Sequence, residues 1–266
     1  MVRIITGLTG ASIVIGAIIW NEIGFVIVFG AIMLLTLREF YTLARKSGTK
    51  PFEIWGLILA LVSFLVLFSS FNKGFNQDLY WLLPILFSVV FIYPLLDLNG
   101  TNAINRLAIS VLGLFYIALP FCLLIPIAFE NGEYGFELII GILFIQWAND
   151  SGAYFAGKAL GKTKLFEAVS PNKTWEGTIG GFVLGLIFAL ILHKILGVIA
   201  IHHWLVLGLI ITVFGTLGDL IESLFKRSLA IKDSGSSLPG HGGFLDRFDS
   251  LLLALPFATA YIHFVI

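Results

Sequence analysis

Long runs of apolar residues, separated by short polar segments, follow one another along almost the whole chain. A helix needs roughly 20 mainly apolar residues to cross a bilayer, with about 17 as a lower limit. Nine runs meet or approach this length, and each predicts a transmembrane helix. The predicted spans are 4–20, 23–37, 54–71, 79–96, 107–129, 138–157, 176–196, 204–224 and 249–266. The pattern therefore predicts an all-α, polytopic helical bundle in a membrane.

The overall composition agrees with a membrane protein. Hydrophobic residues make up 58% of the 266 residues, charged residues make up 12%, and the mean hydropathy is +0.99. A soluble domain carries about 25% charged residues, so this chain has too few to cover a water-facing surface. The formal net charge is zero, which argues against nucleic acid as a partner. We interpret 1–266 as one integral membrane domain, with N-terminal helices in 1–135 and further helices and cytoplasmic loops in 136–266.

The basic residues orient the predicted bundle. If the N-terminus lies in the cytoplasm, 14 of the 16 Lys and Arg residues fall on the cytoplasmic side. These are Arg3, Arg38, Arg45, Lys46, Lys50, Arg106, Lys158, Lys162, Lys164, Lys173, Lys226, Arg227, Lys232 and Arg247. Only Lys73 and Lys194 fall outside. Because cytoplasmic loops of membrane proteins are enriched in Lys and Arg, the sequence predicts an N-in/C-out topology.

The densest polar stretch runs from Ser223 to Asp249. Cations alternate there with carboxylates around a glycine-rich centre, Gly235 to Gly243. Glycines let backbone N–H groups approach an anion closely, and Lys and Arg neutralise its charge. Carboxylates beside such cations are typical of a metal that bridges them to phosphate. The stretch therefore predicts a polyphosphate site at the membrane surface.

Acidic residues of two predicted helices reach the same membrane face. The first set follows i, i+3, i+4, i+7 on one helical face and comprises Asp219, Glu222, Ser223 and Lys226. The second set, Asp246 and Asp249, lies at the start of the last span. An ion-paired stripe would explain the first set, and the preference of acids for helix N-termini would explain the second. We favour one shared cation site, because a single cause then accounts for both sets.

Another polar block precedes these sets. Asp150 lies inside an apolar helix, and the segment Ser170-Pro-Asn-Lys173-Thr-Trp-Glu176 leads into the next span. N-capping and topology signals would by themselves explain the segment from Ser170 to Glu176. The block indicates a functional site only when it is considered together with the other polar motifs.

These motifs together resemble the phosphatidate cytidylyltransferase (CDP-diacylglycerol synthase) family. Its signature is matched by Ser223-x-Phe-Lys226-Arg227-x4-Lys232-Asp233-x-Gly235-x2-Leu238-Pro239-x-His241-Gly242-Gly243-Phe244-x-Asp246-Arg247-Phe248-Asp249. Residues 150–161 and 170–177 resemble the block that precedes this signature in the family. The resemblance covers roughly 147–250, whereas the first hundred residues match only as generic membrane helices.

The resemblance implies a function and its partners. It implies a dimeric helical bundle that converts CTP and phosphatidate into CDP-diacylglycerol and pyrophosphate. It also implies a divalent ion, usually Mg²⁺, and allows a second, monovalent ion such as K⁺. The catalytic helices and loops would then lie in 136–266. A membrane lipid substrate and the cytoplasmic polar loops predict an integral protein of the bacterial inner membrane, with its active site facing the cytoplasm.

This reaction suggests a role for each polar residue. We assign Asp219 and Asp246 as the main metal carboxylates, with Asp150, Glu222 and Asp249 as neighbouring candidates. The predicted phosphate-binding cations are Lys226, Arg227, Lys232 and Arg247. Predicted substrate contacts are Ser170, Lys173, Ser223, Gly242 and Gly243. His241 has two open readings, a donor or proton relay to phosphate and a residue that orients the glycine turn.

Two other functions fit part of the pattern. A CTP-dependent lipid kinase would share the membrane helices and nucleotide chemistry but would release CDP instead of pyrophosphate. An ion-coupled transporter would use intramembrane acids such as Asp150, Asp219 and Glu222 as an ion path. A transporter does not need a dense, cationic and glycine-rich loop on one face.

Overall fold

The protein was examined as a computed structural model, which describes residues 2–72, 76–96, 102–130, 132–231, 234–235, 237, 240 and 242–266. Most of these residues are helical. The α-helices are α1 (Val2–Trp20), α2 (Glu22–Lys46), α3 (Glu53–Phe71), α4 (Leu82–Val89), α5 (Tyr93–Leu96), α6 (Ala103–Gly113), α7 (Leu119–Cys122), α8 (Leu124–Ala128), α9 (Glu137–Leu160), α10 (Trp175–Leu196), α11 (Ile201–Ser228) and α12 (Leu245–Val265). A 3₁₀ helix covers Gln77–Trp81, and a π-helical turn, Leu114–Ala118, joins α6 to α7.

Six helices within the described ranges are long and apolar enough to cross a membrane. They are Glu22–Lys46, Glu53–Phe71, Ala103–Ala128, Trp175–Leu196, Ile201–Ser228 and Leu245–Val265. Such helices satisfy their own backbone hydrogen bonds, which is what the interior of a bilayer demands. The prediction of an all-α integral membrane protein is therefore confirmed.

Three of the nine predicted spans are not among these six. The helix α1 has 19 residues, and only its part from Thr6 to Trp20 counts as a shorter apolar helix. The span predicted over 79–96 is interrupted, because α4 ends at Val89 and α5 begins at Tyr93. The 24-residue α9 carries polar side chains near its middle, including Gln146 and Asp150. The count of nine crossings stays a prediction.

A small hairpin occupies the loop between α9 and α10. Its antiparallel strands, β1 (Lys164–Phe166) and β2 (Ser170–Thr174), pair Lys164 with Thr174 and Phe166 with Ser170. The sequence pattern did not predict these strands. Thr174 ends the hairpin by accepting a hydrogen bond from the amide of Gly177, so the hairpin leads directly into α10.

The chain divides into two compact units. The first unit comprises Met1–Tyr134 and Asp233–Arg247. Its centre is Tyr41 on α2, a fully buried residue whose ring lies against the backbones of Gly56 and Gly113. The Tyr41 hydroxyl donates to the carbonyl of Ser110 at 2.8 Å. These contacts hold α2 firmly between α3 and α6, since a side chain at either glycine would overlap the tyrosine ring.

The second unit comprises Gly135–Lys232 and Phe248–Ile266. Small residues along α10 let its backbone approach α9 and α11 closely. A side chain at Gly181 would meet Asn149 of α9, and one at Gly185 would meet Thr212 of α11. The row of small residues in α10 therefore packs helices within the chain, as its four-residue spacing suggests.

Candidate active site

In the second unit, residues of two separate motifs meet at Asp219 on α11. The ammonium nitrogen of Lys173, on β2, lies 2.6 Å from Asp219 Oδ2. The hydroxyl of Ser223, one turn further along α11, donates to Asp219 Oδ1 at 3.3 Å. Lys173 and Asp219 are both partly exposed, so water and solutes reach the pair. The structure thus joins a predicted substrate residue to a predicted metal ligand.

The next acid along α11 is deeply buried. The side chain of Glu222 is 1% exposed and forms an ion pair with Lys226, four residues further on. Asp219 and Ser223 are also four residues apart, so both pairs follow the helical spacing. The predicted polar face of α11 is confirmed by these two contacts.

Two further carboxylates lie near Asp219 and Glu222. Asp249 on α12 is only 8% exposed and is acted on by the negative charges of Asp219, Glu222 and Asp150. Close packing supports this arrangement, because a side chain at Gly218 would meet the backbone of Asp249. We call Asp150, Asp219, Glu222 and Asp249 the acidic cluster. It unites four of the five predicted metal carboxylates in the second unit.

The acidic cluster has the oxygen donors that a hard divalent cation prefers. Neighbouring carboxylates repel one another, most strongly where they are buried as Glu222 and Asp249 are, and a cation relieves that repulsion. Within the described part of the chain, however, no three acidic, His or Cys side chains are arranged around one metal position. Mg²⁺ commonly takes only one or two protein carboxylates and completes its shell with water and substrate phosphates. The cluster therefore fits an ion bound together with a nucleotide better than a closed protein site.

Asp246, the fifth predicted metal carboxylate, belongs to the first unit. It lies beside the signature loop, by which we mean residues 234–244. Its carboxylate accepts hydrogen bonds from the amides of Ser234, at 3.1 Å, and Gly243, at 2.8 Å. Gly242 has a φ of +80°, and a side chain there would strike the Asp246 carboxylate. These contacts fold the loop onto Asp246, and its assignment to a metal stays a prediction.

Sequence reasoning missed Glu39, a second carboxylate at the signature loop. Glu39 lies on α2 and is 9% exposed. It accepts hydrogen bonds from the Ser237 hydroxyl, at 2.5 Å, and from the Leu245 amide, at 2.9 Å. Glu39 lies beyond the second span predicted over 23–37, in a segment counted as cytoplasmic, and α2 extends through it to Lys46. One signal could have identified Glu39, namely the helical spacing of four residues that are all buried: Thr36, Glu39, Phe40 and Leu43.

The predicted cations occupy different surroundings. Arg227 directs its guanidinium to two backbone carbonyls, those of Val169 and Ile231, each at 3.2 Å. Arg247 lies exposed in the first turn of α12. Lys232 and His241 fall outside the described residues. Arg227 thus joins the hairpin region to the end of α11, a structural contact that the sequence did not predict.

The hairpin that carries Lys173 and the half-buried Ser170 is itself held by an acid. The carboxylate of Glu176, in the first turn of α10, accepts hydrogen bonds from the amides of Lys162, at 3.1 Å, and Thr163, at 3.2 Å. The amide of Trp175 donates to the Thr163 carbonyl at 3.0 Å. These bonds close the hairpin at its base and so fix the strand from which Lys173 reaches Asp219.

Comparison with known proteins gives consistent results. The sequence model of the cytidylyltransferase family matches residues 1–265. A phosphatidate cytidylyltransferase of Bacillus subtilis (strain 168) is 38% identical over 259 residues, 96% of this chain and 94% of the relative. One of Staphylococcus saprophyticus is 35% identical over 225 residues, 84% of this chain and 85% of the relative. One of Haemophilus influenzae is 44% identical over 138 residues, 50% of this chain and 48% of the relative. The likeness extends to the N-terminal helices, beyond the motifs.

Proposed function

Because the chain belongs to the cytidylyltransferase family, we propose that it makes CDP-diacylglycerol and pyrophosphate from CTP and phosphatidate. The resemblance read from the polar motifs is confirmed by the match over residues 1–265. The relatives that cover most of the chain carry the same activity in their names. The chain is therefore a nucleotidyltransferase of phospholipid biosynthesis. Neither the lipid kinase nor the transporter has an observation in its favour.

The reaction exchanges one phosphoanhydride bond for another. A phosphate oxygen of phosphatidate bonds to the α-phosphorus of CTP, and the bond from that phosphorus to the α,β-bridging oxygen breaks. The electron pair leaves with pyrophosphate. Such transfers depend on positioning and on neutralising phosphate charge more than on covalent participation of the protein. The protein must therefore supply fixed cations and hold two anionic substrates together.

The pairing of Lys173 with Asp219 carries the assignment of the site. An ammonium group next to a partly exposed carboxylate can turn to a phosphate oxygen, while the carboxylate then becomes available to a cation. Lys226 also pairs with a carboxylate, that of the buried Glu222. We assign Lys173 and Lys226 to the phosphates, with Ser223 holding the orientation of Asp219. Arg247 contributes from the first turn of α12, and Ser170, Arg227, Lys232, His241 and the loop glycines stay assigned from the motif.

Mg²⁺ is the proposed cofactor. When bound with the nucleotide it would neutralise charge on the phosphate oxygens. Asp219 is the proposed first ligand, and Asp249, which is close enough to be acted on by the charge of Asp219, is the proposed neighbouring carboxylate. Asp246 stays assigned on the sequence motif, and Asp150 and Glu222 act as nearby carboxylates. The second, monovalent ion such as K⁺ is proposed from the family resemblance.

The chain is an integral membrane protein, and its orientation is proposed from charge. Nine crossings result if α1, α9 and the interrupted segment 77–96 cross together with the six long apolar helices. With the N-terminus inside, the bias of Lys and Arg places the active site on the cytoplasmic side of the bacterial inner membrane, where CTP is present. A homodimer that does not bind nucleic acid completes the proposal.

Product analysis tests the activity. The purified protein is incubated with cytidine-labelled CTP, phosphatidate and Mg²⁺, and lipids and soluble products are then separated. We expect label in the lipid fraction and release of pyrophosphate in equal amounts. Release of CDP with an unlabelled, phosphorylated lipid would instead identify a lipid kinase. Ion flux without consumption of CTP would identify a transporter.

A further inference from the structure

The signature loop contacts α2, an element that none of the motifs includes. Two carboxylates accept hydrogen bonds from residues of this loop that the structure describes. Asp246 accepts from the amides of Ser234 and Gly243, and Glu39 accepts from the Ser237 hydroxyl and the Leu245 amide. Glu39 is 198 residues from Ser237 and 206 from Leu245. It therefore joins distant parts of the first unit.

Both oxygens of Glu39 are used. Oε1 receives the Ser237 hydroxyl at 2.5 Å, and Oε2 receives the Leu245 amide at 2.9 Å. Hydrogen bonds to an ionised carboxylate are shorter and stronger than neutral ones. Leu245 is the first residue of α12, whose initial amides have no partner within the helix. Glu39 thus supplies from another helix the acceptor that an N-cap side chain usually provides.

Two glycines of the loop lie close against Glu39. Side chains added at Gly235 or Gly243 would meet the Glu39 carboxylate. The loop backbone therefore approaches the acid as closely as glycine permits. A buried acid within an apolar helix is uncommon, and such residues usually have a specific partner. Here the partners are the loop and the start of α12.

The helix that carries Glu39 is tightly packed at this point. Leu37 and Tyr41, two residues to either side, are both fully buried. The Tyr41 hydroxyl is bonded to the Ser110 carbonyl, and the Ser110 hydroxyl accepts the amide of Phe52. Functional groups are positioned well when they are supported by a packed element of this kind. Glu39 is consequently held by a well-packed helix, and its hydrogen bonds fix the position of the signature loop.

We propose that Glu39 is a positioning residue for the transferase reaction, holding the signature loop and the first turn of α12 so that Asp246 and Arg247 are correctly placed. The inference rests on the proposed function. It adds an α2 residue to the machinery, although the motifs of the loop begin nearly two hundred residues later. Glu39 itself touches neither substrate in this role.

The test compares Glu39→Ala and Glu39→Gln in the full-length purified protein. The Gln side chain keeps an oxygen for the Leu245 amide, and its amide group can donate to Ser237. We expect Glu39→Ala to lower kcat about 100-fold, because misplacement by about 1 Å can have that effect. Glu39→Gln should recover most of this loss. Glu53→Gln is the matched control, since Glu53 is an acid of the same unit that pairs with Arg45.

Two further measurements separate positioning from general stability. Hydrogen exchange at the Leu245 amide should be faster in Glu39→Ala than in Glu39→Gln or wild type, while Tm stays near that of Glu53→Gln. Ser237→Ala should lower kcat about threefold alone and should have no further effect in the Glu39→Ala background, as expected for two partners of one interaction. Ser237 is exposed, so this variant tests the interaction even if Glu39→Ala does not fold.

Some results would overturn the proposal. Equal kcat values in Glu39→Ala and Glu53→Gln would do so, as would additive effects of Ser237→Ala and Glu39→Ala. Activity losses that merely follow Tm would also do so. The exchange measurement requires no turnover. If exchange at Leu245 responds as expected while the wild type makes no CDP-diacylglycerol, the contact of Glu39 with the loop is upheld and the proposed function fails.

Discussion

In the acidic cluster of the second unit, Asp219 and Glu222 pair with lysine side chains. At the signature loop, by contrast, Glu39 and Asp246 accept hydrogen bonds from backbone amides and a serine hydroxyl. A lysine has a flexible four-carbon stem and can change partners without any movement of the backbone. A backbone amide cannot leave its acceptor unless the loop changes shape. The first arrangement suits groups that exchange partners with substrate, and the second suits groups that hold a shape.

Because of this difference, we expect similar substitutions to have different consequences in the acidic cluster and at the signature loop. Removing charge from the acidic cluster should change how phosphate and cation are bound. Removing an acceptor at the signature loop should change the loop itself, with measurable effects on amide exchange.

The largest effect is expected for Asp219→Asn. Asparagine keeps the size of the side chain and an acceptor for Ser223, but it removes the charge that pairs with Lys173 and that a hard cation requires. We expect kcat to fall roughly 10²–10³-fold, the usual range for loss of one preorganised electrostatic group. Steady-state rates across a Mg²⁺ titration measure it. Asp78→Asn, at an exposed acid in the first unit, is the control. A near-normal rate at any Mg²⁺ concentration would remove Asp219 from the site.

Asp246→Asn distinguishes the two arrangements most sharply. If Asp246 binds the metal as well as the loop amides, we expect a loss of kcat of about 100-fold together with a higher Mg²⁺ requirement. Hydrogen exchange at Ser234 and Gly243 should also increase, since a neutral amide oxygen is a weaker acceptor than a carboxylate. Faster exchange with an unchanged Mg²⁺ requirement would restrict Asp246 to shaping the loop.

A smaller effect is expected for Arg247→Lys. The guanidinium can hold two phosphate oxygens in a fixed geometry, whereas lysine is a single point charge. Because the positive charge is kept, we expect a loss of kcat of about tenfold, below that for complete removal of a donor. Arg38→Lys is the matched control, since Arg38 is exposed and lies 3.8 Å from Glu53. Equally small effects of the two substitutions would make Arg247 a topology residue.

The smallest effects on activity are expected for cysteine variants that test the topology by labelling. A cysteine replaces Lys46, Lys162 or His203, one position at a time, in a protein whose buried Cys122 has been changed to Ala. A membrane-impermeant thiol reagent should label positions 46 and 162 only from the cytoplasmic side and position 203 only from outside. The variants at 46 and 203 should keep their turnover. Labelling of position 162 from outside would contradict a cytoplasmic active site.

Several features of this chain are determined by local sequence. A bilayer requires helices that satisfy their own backbone, so apolar runs alone predicted most of the long helices. The periodicity of the α-helix placed Asp219 beside Ser223 and Glu222 beside Lys226, because residues four apart share a face. The signature residues predicted the family before any geometry was known. The break at Val89 was not predicted, because apolarity does not report helix continuity.

Only the tertiary structure decided which distant groups meet. The approach of Lys173 to Asp219 depends on how a hairpin closes at Glu176, and the contact of Glu39 with Ser237 and Leu245 depends on where the loop folds back. No periodicity in the sequence encodes such pairings, because they result from packing among elements far apart in the chain. Arg227 shows the same limit, since its charge suggested phosphate while its fork reaches two backbone carbonyls. Residue type defined what each group can bind, and packing selected the partner.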